Sequence, residues 1–194
     1  MKKESAAKVI LIPAISLFII CAVCAGLLAL TNDMTKDKIA EYAVLQEEQA
    51  KMSVAPDAAG FSEAKTTNVN GTDYVYYEAL DNGDALIGYV FSATSKGYGG
   101  DLTVMVGISC EGLVTGVKPT AISETPGLGM KAQSSDFLVQ YTGKSAGIEV
   151  NKNEPGDNEI RAITGATITS RAVTTAVNAA FEAFNTVKEV AGNG

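Results

Sequence analysis

Residues 9–30, VILIPAISLFIICAVCAGLLAL, run for 22 positions without a charged side chain. No other feature restricts the fold of this chain so strongly. A helix of that length rises about 33 Å, enough to cross a bilayer core of roughly 30 Å. A cleaved signal peptide is the competing reading, but its apolar region is usually about 7–15 residues and ends at a small-x-small site. No such site follows here, and Ile20 and Val23 stand where a lipobox before Cys21 or Cys24 would need a small residue. The expectation is a retained single-pass anchor, with Pro13 in about its first turn, where a missing amide matters least. Lys2, Lys3 and Lys8 precede the span, while Lys36 and Lys38 follow it mixed with Asp33 and Asp37. This modest bias predicts a cytoplasmic N-terminus, with the bulk of the chain beyond the cell (inner) membrane.

The rest of the composition removes whole classes of function. The chain of 194 residues has a formal charge of −7 and no basic run, so it lacks the footprint of a nucleic-acid surface. Histidine is absent, which excludes His-based acid–base chemistry, Ser-His-Asp and Cys-His arrangements and His-ligated metals. Three cysteines are too few for a disulfide framework. Any chemistry here is expected to come from a bound cofactor.

After the anchor, residues 31 to about 52 read as a polar helix, a stalk that Thr31, Asn32 and Asp33 cap or interrupt. Residues 53–64, SVAPDAAGFSEA, read as a linker, giving a division into residues 1–30, 31–64 and 65–194. From there the pattern changes to short strands. DYVYYEAL and LIGYVFSAT flank the turn DNGDA, and DLTVMVGIS and GLVTGVKPT flank CEG, two hairpins in succession. A helix is expected around residues 135–141, a short strand near 147–150, and a closing helix over about 170–191. There Val173, Val177, Phe181, Phe184 and Val187 recur at helical spacing. Strands first and helices after predict an α+β domain.

Just ahead of that closing helix stands ITGATITS, in which Thr164, Thr167, Thr169 and Ser170 carry hydroxyls while Gly165 and Ala166 carry almost no bulk. Either the hydroxyls cap the helix, or one of them is used by a group held against the first-turn amides, where a phosphate is favoured. Upstream, SETPGLGMKAQ (residues 123–133) places Pro126 and Gly127 at the centre of a type II turn. Farther upstream, KGYGGDLTVMVGIS (residues 96–109) enters a strand through Gly97, Gly99 and Gly100.

The TGAT–ITS stretch resembles the flavinylation motif of FMN-binding domains, those of the G subunit of the Rnf electron-transport complex and the C subunit of the sodium-pumping NADH:quinone reductase. The 123–133 loop is similar to the Glu-Thr-Pro-Gly-Leu-Gly loop of the same families, and the Gly-rich entry at 96–109 is similar too. Chain length and the terminal anchor fit the Rnf member better. The resemblance implies an α+β FMN-binding domain of antiparallel hairpins plus a C-terminal helix, behind one N-terminal transmembrane helix. It implies FMN joined through its phosphate to the hydroxyl of Thr167 by a flavin transferase, with Thr164, Gly165 and Ala166 around it. Glu124, Thr125, Gly127, Leu128, Gly129 and Lys131 would hold the ring, with Tyr98 and Gly99 bordering it.

The implied role is an electron relay, not catalytic alone, within a complex that moves electrons between ferredoxin and NAD⁺ while pumping Na⁺ or H⁺. A stand-alone flavin-bearing surface protein would share the same motifs. The chain departs from the family at Arg161, where an Asp usually stands six residues before the modified Thr. Arg161 can instead pair with a flavin phosphate or a partner's acid. Cys21 and Cys24 lie on one helix face; they either supply two ligands to a shared iron–sulfur centre or pack as small residues of a membrane helix.

Overall fold

The structure, a computed structural model, describes residues 6–192. Lys2 and Lys3, on which the orientation expectation partly rests, lie outside the described residues. The chain forms two compact units, Met1–Leu45 and Gln46–Gly194.

The first unit is carried by helix α1 (Ala6–Val54), which begins earlier than the apolar run and so places Pro13 inside it. The ring there forfeits one backbone hydrogen bond. Residues 31–33 neither cap nor interrupt the helix. Thr31 Oγ1 donates to the carbonyl of Leu27 at 2.9 Å and Thr35 Oγ1 to that of Thr31 at 2.8 Å. The hydroxyls are thereby satisfied within the helix instead of competing with it. Ile12, Leu17, Phe18, Ile20, Leu27 and Leu28 are all exposed, on every side of the helix. Among the described residues this is the one helix long and apolar enough to cross a membrane. A helix apolar all round needs an apolar medium.

The second unit is a six-stranded antiparallel sheet backed by a helix. Its strands are β1 (Gly60–Phe61), β2 (Lys65–Val69), β3 (Thr72–Leu80), β4 (Leu86–Lys96), β5 (Asp101–Ser109) and β6 (Val114–Ala121). The order is β1-β3-β4-β5-β6, with β2 paired to the other end of β3. Both expected hairpins form, β3–β4 and β5–β6. Strand β2 was not read from the sequence, although Asn70 and Gly71 both adopt positive φ in the turn that joins it to β3, as a tight hairpin turn requires. Strands β7 (Glu149–Asn151) and β8 (Glu159–Arg161) form a small parallel pair. The expected helix near 135 is one short turn, α2 (Ser135–Leu138), followed by 3₁₀ residues 139–141.

The closing helix, α3 (Thr167–Gly192), starts three residues before its expected position. Its stripe of Val173, Val177, Phe181, Phe184 and Val187 packs on one sheet face with Tyr89, Phe91, Leu102, Val104, Val106 and Ile108. On β4 and β5 the intervening residues Val90 and Met105 point to the opposite face, as a two-residue period demands. Both faces are covered, so these strands read as nearly continuous apolar runs.

The cover of that second face is what the sequence reading placed elsewhere. Ala50, Val54 and Ala55 are buried against Tyr77, Ala79, Val90 and Met105, so residues 46–55 are part of the domain. Residues 60–61 pair with β3, and the backbone N–H of Ala59 donates to Leu80 O at 2.7 Å, which incorporates most of the supposed linker. Two glycines make this possible. A side chain on Gly107 would strike Val54 O, and one on Gly116 would lie 2.7 Å from Val54 Cα. Tyr77 Oη donates to Glu47 Oε1 at 2.6 Å, and the buried Lys51 ammonium sits 4.4 Å from the Tyr77 ring centre. Burial, then the bond to Glu47, pushes the Tyr77 phenol well above its ordinary value.

Candidate functional site

Two turns of the same design meet beside the start of α3. In the first, Leu128 N donates to Thr125 O at 3.2 Å across Pro126 and Gly127, whose φ of 77° is that of a type II turn. In the second, Ala166 N donates to Ile163 O at 2.9 Å across Thr164 and Gly165, whose φ is 79°. They are in contact: a Cβ on Gly165 would lie 3.3 Å from Leu128 Cδ2. The Gly-rich loop before β5 closes on the first turn from the other side, for a Cβ on Gly99 would strike Ser123 O. Glu124 fastens the two, its Oε1 accepting the backbone N–H of Tyr98 at 2.8 Å.

These three segments enclose one cavity of about 500 Å³. Tyr98 comes from the first segment; Glu124, Thr125, Leu128 and Gly129 from the second; and Gly165 to Thr169 from the third. Its volume lies within the roughly 300–1,000 Å³ range of small-molecule sites. Tyr98, Leu128 and Ile168 are exposed at its margin, so the apolar surfaces that a planar ring would cover are in place. At its floor is the N-terminus of a 26-residue helix. The first intrahelical bond is Ser170 N to Ala166 O, which leaves the amides of Thr167, Ile168 and Thr169 without helical acceptors. That is a favourable setting for a phosphate.

The capping question divides between the hydroxyls. Ala166, immediately before α3, has no side-chain oxygen with which to cap. Ser170 does not cap the first-turn amides either; from inside the helix it braces the preceding turn, its Oγ donating to Ala166 O at 3.0 Å and accepting the N–H of Ile163 at 2.9 Å. It is fully buried, as is Thr169. Thr174 then links Ser170 O to the buried Tyr141 hydroxyl, and burial raises the Tyr141 phenol far above its usual range. Thr167 takes no part in this scaffold; it is half-buried on the cavity wall.

Of the other residues singled out in the sequence, Thr164 and Gly127 are exposed turn residues that do not line the cavity, and Gly99 is a packing point between loops. Lys131 faces away, into a separate cavity of about 400 Å³ that it lines with Asp136, Gln140 and Arg161. Arg161 ends β8, its Nε donating to Asn153 O at 3.1 Å and its backbone N–H to Gln140 Oε1 at 2.7 Å. It does not line the Thr167 cavity. Ile168 and Thr169 do line it and were missed; their place directly after Thr167 at a helix start was the available signal. Cys21 and Cys24 are exposed on α1, and no cluster of three metal-ligating side chains occurs among the described residues.

Comparisons with known proteins identify the family and the fold. Residues 97–182 match the model of the FMN-binding domain, and residues 1–54 that of the RnfG N-terminal region. The chain is 37% identical over 198 residues to the G subunit of the Na(+)-translocating ferredoxin:NAD(+) oxidoreductase complex of Acetobacterium woodii, covering 94% of this chain and 95% of the relative. It is 34% identical over 172 residues to the G subunit of the proton-translocating ferredoxin:NAD(+) oxidoreductase complex of Clostridium ljungdahlii, covering 88% and 89%. Among solved structures, Shewanella oneidensis NqrC superposes with a TM-score of 0.52 at 22% identity, over 68% of this chain and 70% of that one. The C subunit of the Na(+)-translocating NADH-quinone reductase of Parabacteroides distasonis gives 0.54 at 19%, over 64% and 76%. These structural likenesses bear on the fold.

Proposed function

This chain belongs to the RnfG family, the G subunits of ion-translocating oxidoreductase complexes, and on that footing we propose that it is a membrane-anchored electron relay carrying FMN esterified to Thr167. The observation that carries the proposal is the meeting of three loops around the Thr167 side chain, at a helix start whose amides are free. In this reading Thr167 Oγ1 is the attachment oxygen, joined to the flavin phosphate by a flavin transferase. The amides of residues 167–169 receive the phosphate charge, and Ser170 holds the preceding turn in shape for it. Leu128, Tyr98 and Ile168, exposed at the cavity margin, would cover the ring. Thr125 and Glu124 supply polar groups at its edge. When bound, the group would supply reversible one- and two-electron chemistry.

The other members of the complex are the donor and acceptor, in a ferredoxin:NAD⁺ oxidoreductase coupled to Na⁺ or H⁺ movement. Residues 10–30 cross the cell membrane with the N-terminus in the cytoplasm, so that the FMN-bearing domain faces outward. Anchoring raises the effective concentration of the flavin near its partners without a large interface.

The test is the intact mass of chain purified from its native host beside Thr167→Ala. Wild type is expected to carry the mass of FMN less one water, and the variant none. Fully intact wild-type chain without added mass rejects the covalent assignment. Orientation is tested with a membrane-impermeant maleimide on whole cells. The exposed Cys110 is expected to be labelled while Cys21 and Cys24 are not, and protection of Cys110 until lysis would reverse the assigned topology.

A further inference from the structure

Glu124 has a property that attachment of a cofactor at Thr167 does not call for. It is 8% exposed, and among the described residues no Lys or Arg nitrogen lies within 4.0 Å of its carboxylate. Its hydrogen-bond donor is the backbone N–H of Tyr98, at Oε1. The other oxygen faces Gly129 and Thr169: a Cβ on Gly129 would come within 2.6 Å of Oε2 and 2.9 Å of Thr169 Oγ1. A Cβ on Gly97 would strike Oε1. Two glycines thus clear space for this carboxylate, and among the described residues no Lys or Arg lines the cavity it borders. Among the described residues no buried side-chain oxygen is left without a partner, so Oε2, which takes no hydrogen bond from the protein, opens onto the cavity. One backbone N–H would be held equally well by an amide, so fastening the loops does not account for a charge here.

We propose that Glu124 acts as a fixed negative charge against the flavin cavity and sets the flavin's reduction potential. The proposal rests on the reading of this cavity as the FMN site. Charge interacts strongly across a site that excludes water, and ionic strength screens it little there. Each electron added to the ring meets the field of this carboxylate, so the bound flavin is harder to reduce than free FMN. Glu124 is a tuning residue in this account; it neither bonds to the cofactor covalently nor exchanges electrons.

The experiment uses the full-length chain in detergent, wild type and Glu124→Gln, each produced with a flavin transferase and checked by intact mass for FMN. Glutamine keeps the volume and the acceptor for Tyr98 N–H while removing the charge. Midpoint potentials are then read by spectroelectrochemistry. The expected result is a clear positive shift in loaded Glu124→Gln, with a wild-type midpoint below that of free FMN that hardly moves as salt is raised. A loaded variant with the wild-type midpoint overturns the proposal and leaves the flavin assignment standing. Should the variant take up no flavin, the wild type decides. A midpoint equal to or above that of free FMN, or a difference that collapses with salt, overturns the tuning role, whereas a salt-resistant negative offset supports it. Wild-type chain without FMN overturns the flavin assignment and this proposal together.

Discussion

Two long helices in this chain meet opposite demands. Residues 10–30 of α1 are apolar in every direction and exposed along their whole length; α3 is apolar along one stripe, which is entirely used. The same residue types, Val, Phe and Ala, thus do different work. In α3 they are buried at helical spacing against a sheet, where removal of a side chain leaves a hole. In the span they are exposed to whatever surrounds the helix, so total hydrophobicity matters and register does not. A regular stripe specifies a partner surface, whereas uniform hydrophobicity specifies only a medium.

Substitutions at matched residues sharpen the contrast. Phe184→Ala should produce the largest loss, about 3–5 kcal/mol, because the ring sits edge-on to Tyr89 and Phe91, with ring centres 5.8 and 6.5 Å away. Denaturant unfolding of the sheet domain checks it, and a loss below about 1 kcal/mol would mean that the stripe is not the core. Phe18→Arg should cost about 2.5–3.5 kcal/mol of insertion free energy without touching the domain. It would be read as chain moving from the membrane to the soluble fraction, and unchanged partitioning would count against the span. Ser170→Ala should cost about 1–3 kcal/mol, since the Ile163 N–H loses its acceptor. A variant as stable as wild type would remove Ser170 from the scaffold of the site. Phe18→Ala, the counterpart of Phe184→Ala, should leave the unfolding of the sheet domain within about 0.5 kcal/mol of wild type.

The smallest effect is expected at the surface. The Gly156 N–H, and then the Asn151 amide, hold the Glu159 carboxyl below its ordinary value of 4.5. A carboxyl lowered on folding contributes stability that is present above its unfolded pKa and lost as pH falls through the folded one. The margin of wild type over Glu159→Gln should therefore be present at neutral pH and shrink as pH drops below 4.5. Urea midpoints across that range check it, and a margin independent of pH would exclude this linkage.

What could be read without coordinates was whatever depends on neighbours in sequence. Residues 9–30 specified a helix long and apolar enough to cross a membrane, and the stripe from Val173 to Val187 specified a helix with one buried face. Turns centred on Asp81–Ala85 and Pro126–Gly127 specified hairpin and loop geometry, since backbone dihedrals are local. The TGAT stretch could be recognised, yet the part each of its hydroxyls plays could not. Tertiary structure decided that Ser170 is the internal brace and that Thr167 is left on a cavity wall. It also turned Lys131 and Arg161 toward a different hollow, and left Glu124 buried with no Lys or Arg partner among the described residues. The same holds for residues 46–61, which read as the end of a stalk helix and most of a linker. They belong to the domain because Gly107 and Gly116, some fifty to seventy residues farther on, clear the space in which Val54 rests. Local patterns fix dihedrals and faces, whereas burial and pairing depend on which distant segments come into contact, and only the folded chain settles those contacts.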